Sequence, residues 1–187
     1  MADEREIIEA VLGGDVDRYA ELVSRYQLAA WKLAYSLVGN MDDAKELSQN
    51  AFVSAYQRLG RFQQRARFST WLYRIVVNEC KDFLRQRARR PAVISMAGDP
   101  DADEPRIFEV ADPSRSPAEL ATDRELAGRL ETAIRALADH QRTAFVLHHL
   151  NGLPLDQVAE VMGCRVGTVK SHVFRACERL RKTFETR

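Results

Sequence analysis

The chain has 187 residues, 45% hydrophobic and 29% charged, and its 28 Lys/Arg against 27 Asp/Glu give a net charge of +1. That apolar content can bury the core of one ordinary domain or two small ones, and it excludes wholesale disorder. No apolar run approaches the ~20 residues of a membrane span, residues 1–3 begin no signal peptide, and Cys80, Cys164 and Cys177 are too scattered for a disulfide framework, so a soluble, cytoplasmic protein without membrane contact is expected.

In chain order, Tyr19, Leu22, Val23, Tyr26, Ala30, Leu33 and Leu37 recur at helical steps, with Asp15 as the expected N-cap and Gly39-Asn40 as the stop. A second helix is predicted from near Asp42 to Gly60 through Ala44, Leu47, Ala51, Ala55 and Leu59. A third starts at Ser69-Thr70 and buries Leu72, Ile75, Val76, Cys80 and Phe83. Five of the six prolines then fall in residues 91–117 together with six acids and only Arg106 and Arg115, which reads as an acidic tether. Beyond it, Leu126, Leu130, Ala133, Ile134 and Leu137 repeat the helical pattern, and another helix is expected over 139–150. No strand-like alternation of useful length appears. The prediction is an all-α protein of two small domains, 1–90 and 118–187, joined by a flexible linker at 91–117.

Opposite the apolar stripe of the third helix, Trp71, Arg74, Asn78, Lys81 and Arg85 share one face at steps of three and four. The preceding loop, residues 60–68, mixes arginines, amides and aromatics through Arg61, Phe62, Gln64, Arg65 and Arg67. Cations recruit phosphates by releasing counterions, and aromatics between them offer stacking platforms for unpaired bases. A solvated charged face is the plainer reading; its continuity over four turns and the adjoining loop favour nucleic acid. Trp71 stands open between a core anchor and a base-stacking role, and Trp31 is expected in the core or a buried interface.

Residues 153–181 carry a more specific pattern. Pro154 suits a helix start, Leu155, Val158, Ala159 and Met162 form a stripe, Gly163-Cys164-Arg165 turns the chain, and Val169, Val173, Ala176 and Leu180 line the inner face of a second helix. Its outward residues are Arg165, Thr168, Lys170, Ser171, His172, Phe174, Arg175 and Arg179. This is the plan of a helix-turn-helix, whose second helix enters the major groove. Phe174 is open between a thymine methyl and the protein core.

Taken together these segments resemble the extracytoplasmic-function (ECF, group IV) sigma factors of bacterial RNA polymerase. The run from Phe68 to Asn78 followed by Asp82-Phe-Leu-Arg85 is similar to their regions 2.3–2.4, the run from Asp43 to Phe52 to region 2.2, and Val166-Gly-Thr-Val-Lys-Ser171 with Arg175-Ala176 and Leu180-Arg181 to region 4.2. The resemblance implies a non-enzymatic factor that binds core RNA polymerase, both β′ and β subunits, and directs promoter-specific initiation. Glu46, Gln49, Asn50 and Phe52 would dock on the β′ coiled coil. Residues 61–68 would capture a flipped base of single-stranded −10 DNA, with Arg74, Asn78, Lys81 and Arg85 on the upstream duplex edge. The second helix of the C-terminal motif would read double-stranded −35 DNA. The tether would thread the polymerase cleft or serve as a solvated spacer, and an anti-sigma factor would regulate the chain and could hold it at the membrane. Asn50 and Glu46 depart from the residues usual in the family at the polymerase contact, and His172 and Cys177 stand at positions where the recognition helix usually has arginine. The reading from another class is a free-standing helix-turn-helix regulator whose N-terminal module dimerises; it has no need of the loop and basic face.

No catalytic, cofactor or metal site is expected. Cys164 and Cys177 form no C-x-x-C, His148 and His149 point apart on a helix, and the Asp99/Asp101/Asp103 series lacks the glycine and final acid of a calcium loop. Charge, finally, is partitioned. Residues 1–57 carry −5, 58–90 carry +8, 91–117 carry −4, 118–162 carry −3 and 163–187 carry +5. The near-neutral total hides two basic segments between acidic ones.

Overall fold

The computed structural model describes residues 3–63, 66–89 and 117–185. The predicted tether, except Pro117, and the predicted site residues Gln64 and Arg65 lie outside them. Among the described residues all regular structure is helical: α1 (Glu4–Leu12), α2 (Tyr19–Val38), α3 (Met41–Gln57), α4 (Phe68–Arg89), α5 (Pro117–Arg135), α6 (Asp139–Phe145), α7 (Leu155–Met162) and α8 (Val166–Glu185).

Local chemistry explains the boundaries. α2 ends at Gly39, whose φ of 77° lets its N–H donate to the Tyr35 carbonyl at 2.8 Å. Asn40 then caps α3 by accepting from the Asp43 N–H at 2.9 Å. The expected Asp15 cap is absent: its side chain makes no capping bond, and a 3-10 turn, Val16–Arg18, leads into α2. α4 begins one residue earlier than predicted, at Phe68, and Thr70 is buried instead of capping. After α6 the helix widens into a π turn, Val146–Leu150, with the Asn151 N–H donating to the Val146 carbonyl at 3.0 Å. Pro154 is the N-cap of α7 and not a member of its first turn. Gly163, at φ 65°, closes α7 with bonds from its own N–H to Glu160 and from Cys164 to Ala159, a Schellman end that sets the turn into α8.

α2, α3 and α4 form one bundle, with α1 laid against α2. α5, α6, α7 and α8 form the second group. Periodicity placed Leu126 inside, yet it is 51% exposed; burial on α5 starts further along, at Ala133 and Ile134, and continues at Leu137 just beyond the helix. α1 has no counterpart among the predicted elements. It buries Ile7, Ile8 and Val11, and Glu4 at its start pairs with the Tyr26 hydroxyl.

The two groups share one continuous core. α7 packs on α4, and α5 and α6 touch α2. Thr70 Oγ1 donates to Gln157 Oε1 at 3.0 Å, Asn151 Nδ2 to the Ala29 carbonyl at 3.4 Å, and Arg135 Nη2 to the Tyr35 hydroxyl at 2.6 Å. The Arg135 guanidinium also lies 4.9 Å from the Tyr35 ring centroid, and that ring is stacked on Trp31.

Candidate nucleic-acid interface

Two separate surfaces carry the predicted DNA-binding residues. On the first, α4 turns by about 100° per residue, so Arg74, Asn78, Lys81, Arg85 and Trp71 occupy a single arc. Arg74, Asn78 and Arg85 are exposed, while Lys81 and Trp71 are half-buried. Arg85 pairs with Asp82 one turn away at 3.1 Å, and at this exposure the pair leaves the guanidinium available. Over the first part of α4 most of the remaining circumference is buried, from Phe68 and Ile75 through Leu72 and Val76 to Tyr73, Val77 and Thr70.

The loop before α4 is held by an aromatic cluster. Phe68 is 1% exposed and packs on Tyr26, Phe62 and Trp71 at centroid distances of 5.7, 6.0 and 5.8 Å. Phe62 and Trp71 meet at 4.9 Å. Trp71 is half-buried, packed against Phe62 and Phe68 of this cluster. Arg61 and Arg67 are exposed on either side of it.

The second surface is the N-terminal half of α8. Val169, Val173, Ala176 and Leu180 face the core, and Arg165, Thr168, Lys170, Ser171, Arg175 and Arg179 are exposed. Phe174 is 67% exposed, which removes it from the core. His172 is half-buried and stacks on His140 of α6 at 5.7 Å, with its Nδ1 unpartnered. Desolvation, then His140 and Arg175, hold its imidazole below the ordinary histidine range. Farther along α8, Cys177 Sγ lies 3.7 Å from His149 Nε2; desolvation and then His148 lower that histidine too.

A third set lies on α3. Glu46, Gln49 and Asn50 are exposed, but Phe52 is only 7% exposed and its carbonyl accepts from the Tyr19 hydroxyl at 2.7 Å. Its side chain belongs to the core. The sequence reading passed over Val53 and Tyr56, exposed apolar residues that continue the Glu46 and Gln49 face at steps of three and four. Their spacing was the available signal. Among the described residues no three His, Cys, Asp or Glu side chains converge as a metal site would require, and no helix is long and apolar enough to cross a membrane.

Comparison with known proteins matches two separate segments of the chain. Residues 22–90 fit the model of Sigma-70 region 2, and residues 127–180 that of Sigma-70 region 4. The RNA polymerase sigma-H factor of Pseudomonas aeruginosa is 34% identical, over 97% of this chain and 94% of its own length. The ECF RNA polymerase sigma-E factor of Escherichia coli is 35% identical over 94% of this chain and 91% of its own, and SigW of Bacillus subtilis 33% over 94% and 93%. Among solved structures, CnrH in complex with the cytosolic domain of CnrY shares the fold at TM-score 0.71 and 21% identity, covering 97% of each chain. The sigma factor RpoE of Bartonella quintana, in complex with the anti-sigma factor NepR, does so at TM-score 0.68 and 23% identity over 90% of this chain and 97% of its own. With both regions matched in order and relatives of this identity aligned along nearly its whole length, the chain belongs to the sigma-70 family, in its ECF group.

Proposed function

We infer that the chain is an alternative sigma factor that joins core RNA polymerase, recognises −35 and −10 promoter elements and opens the DNA between them, with no catalytic step of its own. The observation that carries this reading is the pairing of two exposed basic surfaces in one chain. One is a helix-turn-helix suited to a duplex groove, and the other a basic helix face beside an aromatic loop suited to an unpaired strand. Arg165, Thr168, Lys170, Ser171, His172, Phe174, Arg175 and Arg179 read the −35 duplex. Arg61, Phe62, Arg67 and Trp71, with Gln64 and Arg65, hold the −10 strand, and Arg74, Asn78, Lys81 and Arg85 its upstream edge. Glu46, Gln49 and Asn50 dock on the polymerase, with Val53 and Tyr56 supplying apolar contact. In this reading residues 1–90 and 118–187 are the working modules and 91–117 the tether between them. The partners place this work in the cytoplasm, at the nucleoid.

By analogy with relatives solved in complex with inhibitors, an anti-sigma factor restrains the chain. Run-off transcription with purified core polymerase and genomic promoter fragments is the test. Specific transcripts that need both the core and this chain are expected. A chain that binds duplex DNA but never core polymerase would be a free-standing regulator instead.

A further inference from the structure

All four histidines of the chain, His140, His148, His149 and His172, fall within residues 140–172, and His172 stands on the proposed −35 grip. At about 100° per residue along α8, it lies between two arcs. Thr168, Arg175 and Arg179 face outward on one side, and Val169, Val173, Ala176 and Leu180 face the core on the other. His172 therefore borders the groove-reading surface where α8 meets α6. There its ring stacks on that of His140, with 5.7 Å between centroids and 24° between planes. His140 is itself exposed, in the first turn of α6.

A charged imidazole has no local support in this position. Nδ1 of His172 is buried and makes no hydrogen bond. In the neutral ring protonated at Nε2, that atom is an unmatched lone pair. In the cation it becomes an N–H donor sealed away from any acceptor, and a charged donor is the harder of the two to leave unmatched. The surrounding charges disfavour the cation further. α6 contributes His140, while its Asp139 and Arg142 are paired with each other. Arg175 is the cation of α8 that acts on the ring. α7 turns Asp156 and Glu160 to a cleft beside Thr70 and Arg67, and α5 meets α8 near its end, where Arg129 lies over Phe184. Among the described residues no carboxylate acts on His172, and desolvation, His140 and Arg175 all favour the uncharged form.

A DNA phosphate would reverse that balance, because it is the anion missing from around the ring. A recognition helix lying in the major groove brings the residues at its flanks up to the phosphate backbone. We propose that His172 takes up a proton when the −35 duplex binds, and that His140 is the positioning residue that stacks on its ring and keeps it uncharged until the phosphate arrives. The proposal rests on the sigma-factor reading, in which α8 holds the −35 duplex. Proton and DNA are then linked ligands. Over the range in which the bound ring is charged and the free ring neutral, affinity rises by up to about tenfold for each unit by which pH falls. Lysine and arginine side chains keep their charge through neutral pH, so the rest of the grip gives no such dependence.

The test uses holoenzyme assembled from core polymerase and the full-length chain, with a labelled promoter fragment that supports run-off transcription. Between pH 8 and pH 6 the wild-type complex should tighten about fivefold more than that of His172→Gln, whose side chain cannot take the proton. Over the same range the slope of log affinity against log salt should steepen by about 1 in the wild type and stay constant in His172→Arg, which is charged throughout. In the free chain, the NMR titration of the His172 ring protons should move to higher pH in His140→Gln, which replaces the stacked ring with an uncharged amide. Identical pH dependence in wild type and His172→Gln, or an equal change of slope in His172→Arg, overturns the proton uptake. An unmoved His172 titration in His140→Gln overturns the role of His140. A chain that gives no run-off transcript from any genomic promoter fragment would instead remove the sigma-factor reading, and the proposal with it.

Discussion

Phe68→Leu separates scaffold from DNA contact at the −10 loop. Phe68 is fully buried and makes ring contacts with Tyr26, Phe62 and Trp71. Leucine keeps the site apolar but forfeits three aromatic pairs, each worth at least ~0.5 kcal/mol beyond its buried area, and leaves a small void. The summed cost is about 2–3 kcal/mol. With a urea dependence of about 2 kcal/mol per molar for a chain of this size, the unfolding midpoint should fall by ~1 M. Because the loop is held through this ring, promoter opening in the holoenzyme, read as permanganate reactivity of −10 thymines, should weaken in parallel, while polymerase binding through α3 persists. A variant of unchanged midpoint that nonetheless fails to open promoters would refute the reasoning, because Phe68 would then be touching DNA and not supporting the loop.

Lys170→Ala with Arg175→Ala should weaken binding of the −35 duplex and reduce the slope of log affinity against log salt by about 2, with core binding unaltered; loss of core binding would contradict the separation of surfaces. The folded-state pKa values of His172 and His149 are depressed, chiefly by desolvation, so their contribution to stability is complete above the unfolded value near 6.5 and is lost as pH falls through the depressed folded values. The thermal midpoint should therefore drop between pH 7 and pH 5, less so in His172→Gln, and an identical drop in that variant would argue against the assignment. Burial pushes the Cys80 thiol up to about 12, so a thiol-exchange reagent at pH 8 should titrate Cys164 and Cys177 in the native protein and Cys80 only after denaturation.

Where the sequence was legible, it was through repetition. α2, α3 and α8 each supply four or more apolar residues at helical spacing, and Gly39 and Gly163 end their helices with the positive φ that glycine favours. α1 offers only Ile7, Ile8 and Val11, too few repeats to stand out from chance. On α4, periodicity marked the stripe that meets α2 and α3 but not the Thr70, Tyr73 and Val77 arc, because the partner of Thr70 lies 87 residues away and two of the three residues are polar enough to pass for surface. Phe52 shows the reverse error. A motif assigns it a role by position along the chain, whereas its neighbour Val53, at 55% exposed, is the one that faces outward. Charge was informative only in blocks, and even so it could not show that Asp156 and Glu160 come to rest beside Arg67.

The π turn at Val146–Leu150 gives the molecule slack in length at one point. A turn of this kind holds one residue more than α-helical winding needs, so removing a single residue there restores ordinary winding and leaves everything downstream nearly in phase. A deletion in the regular winding of α6 has no such slack and turns the downstream chain by about 100°. Asn151 and α7 would then leave the seam between the two helix groups together, with each helix still individually well formed. A one-residue deletion in α6 should thus be far more damaging to the arrangement of the two halves than the same deletion in the π turn.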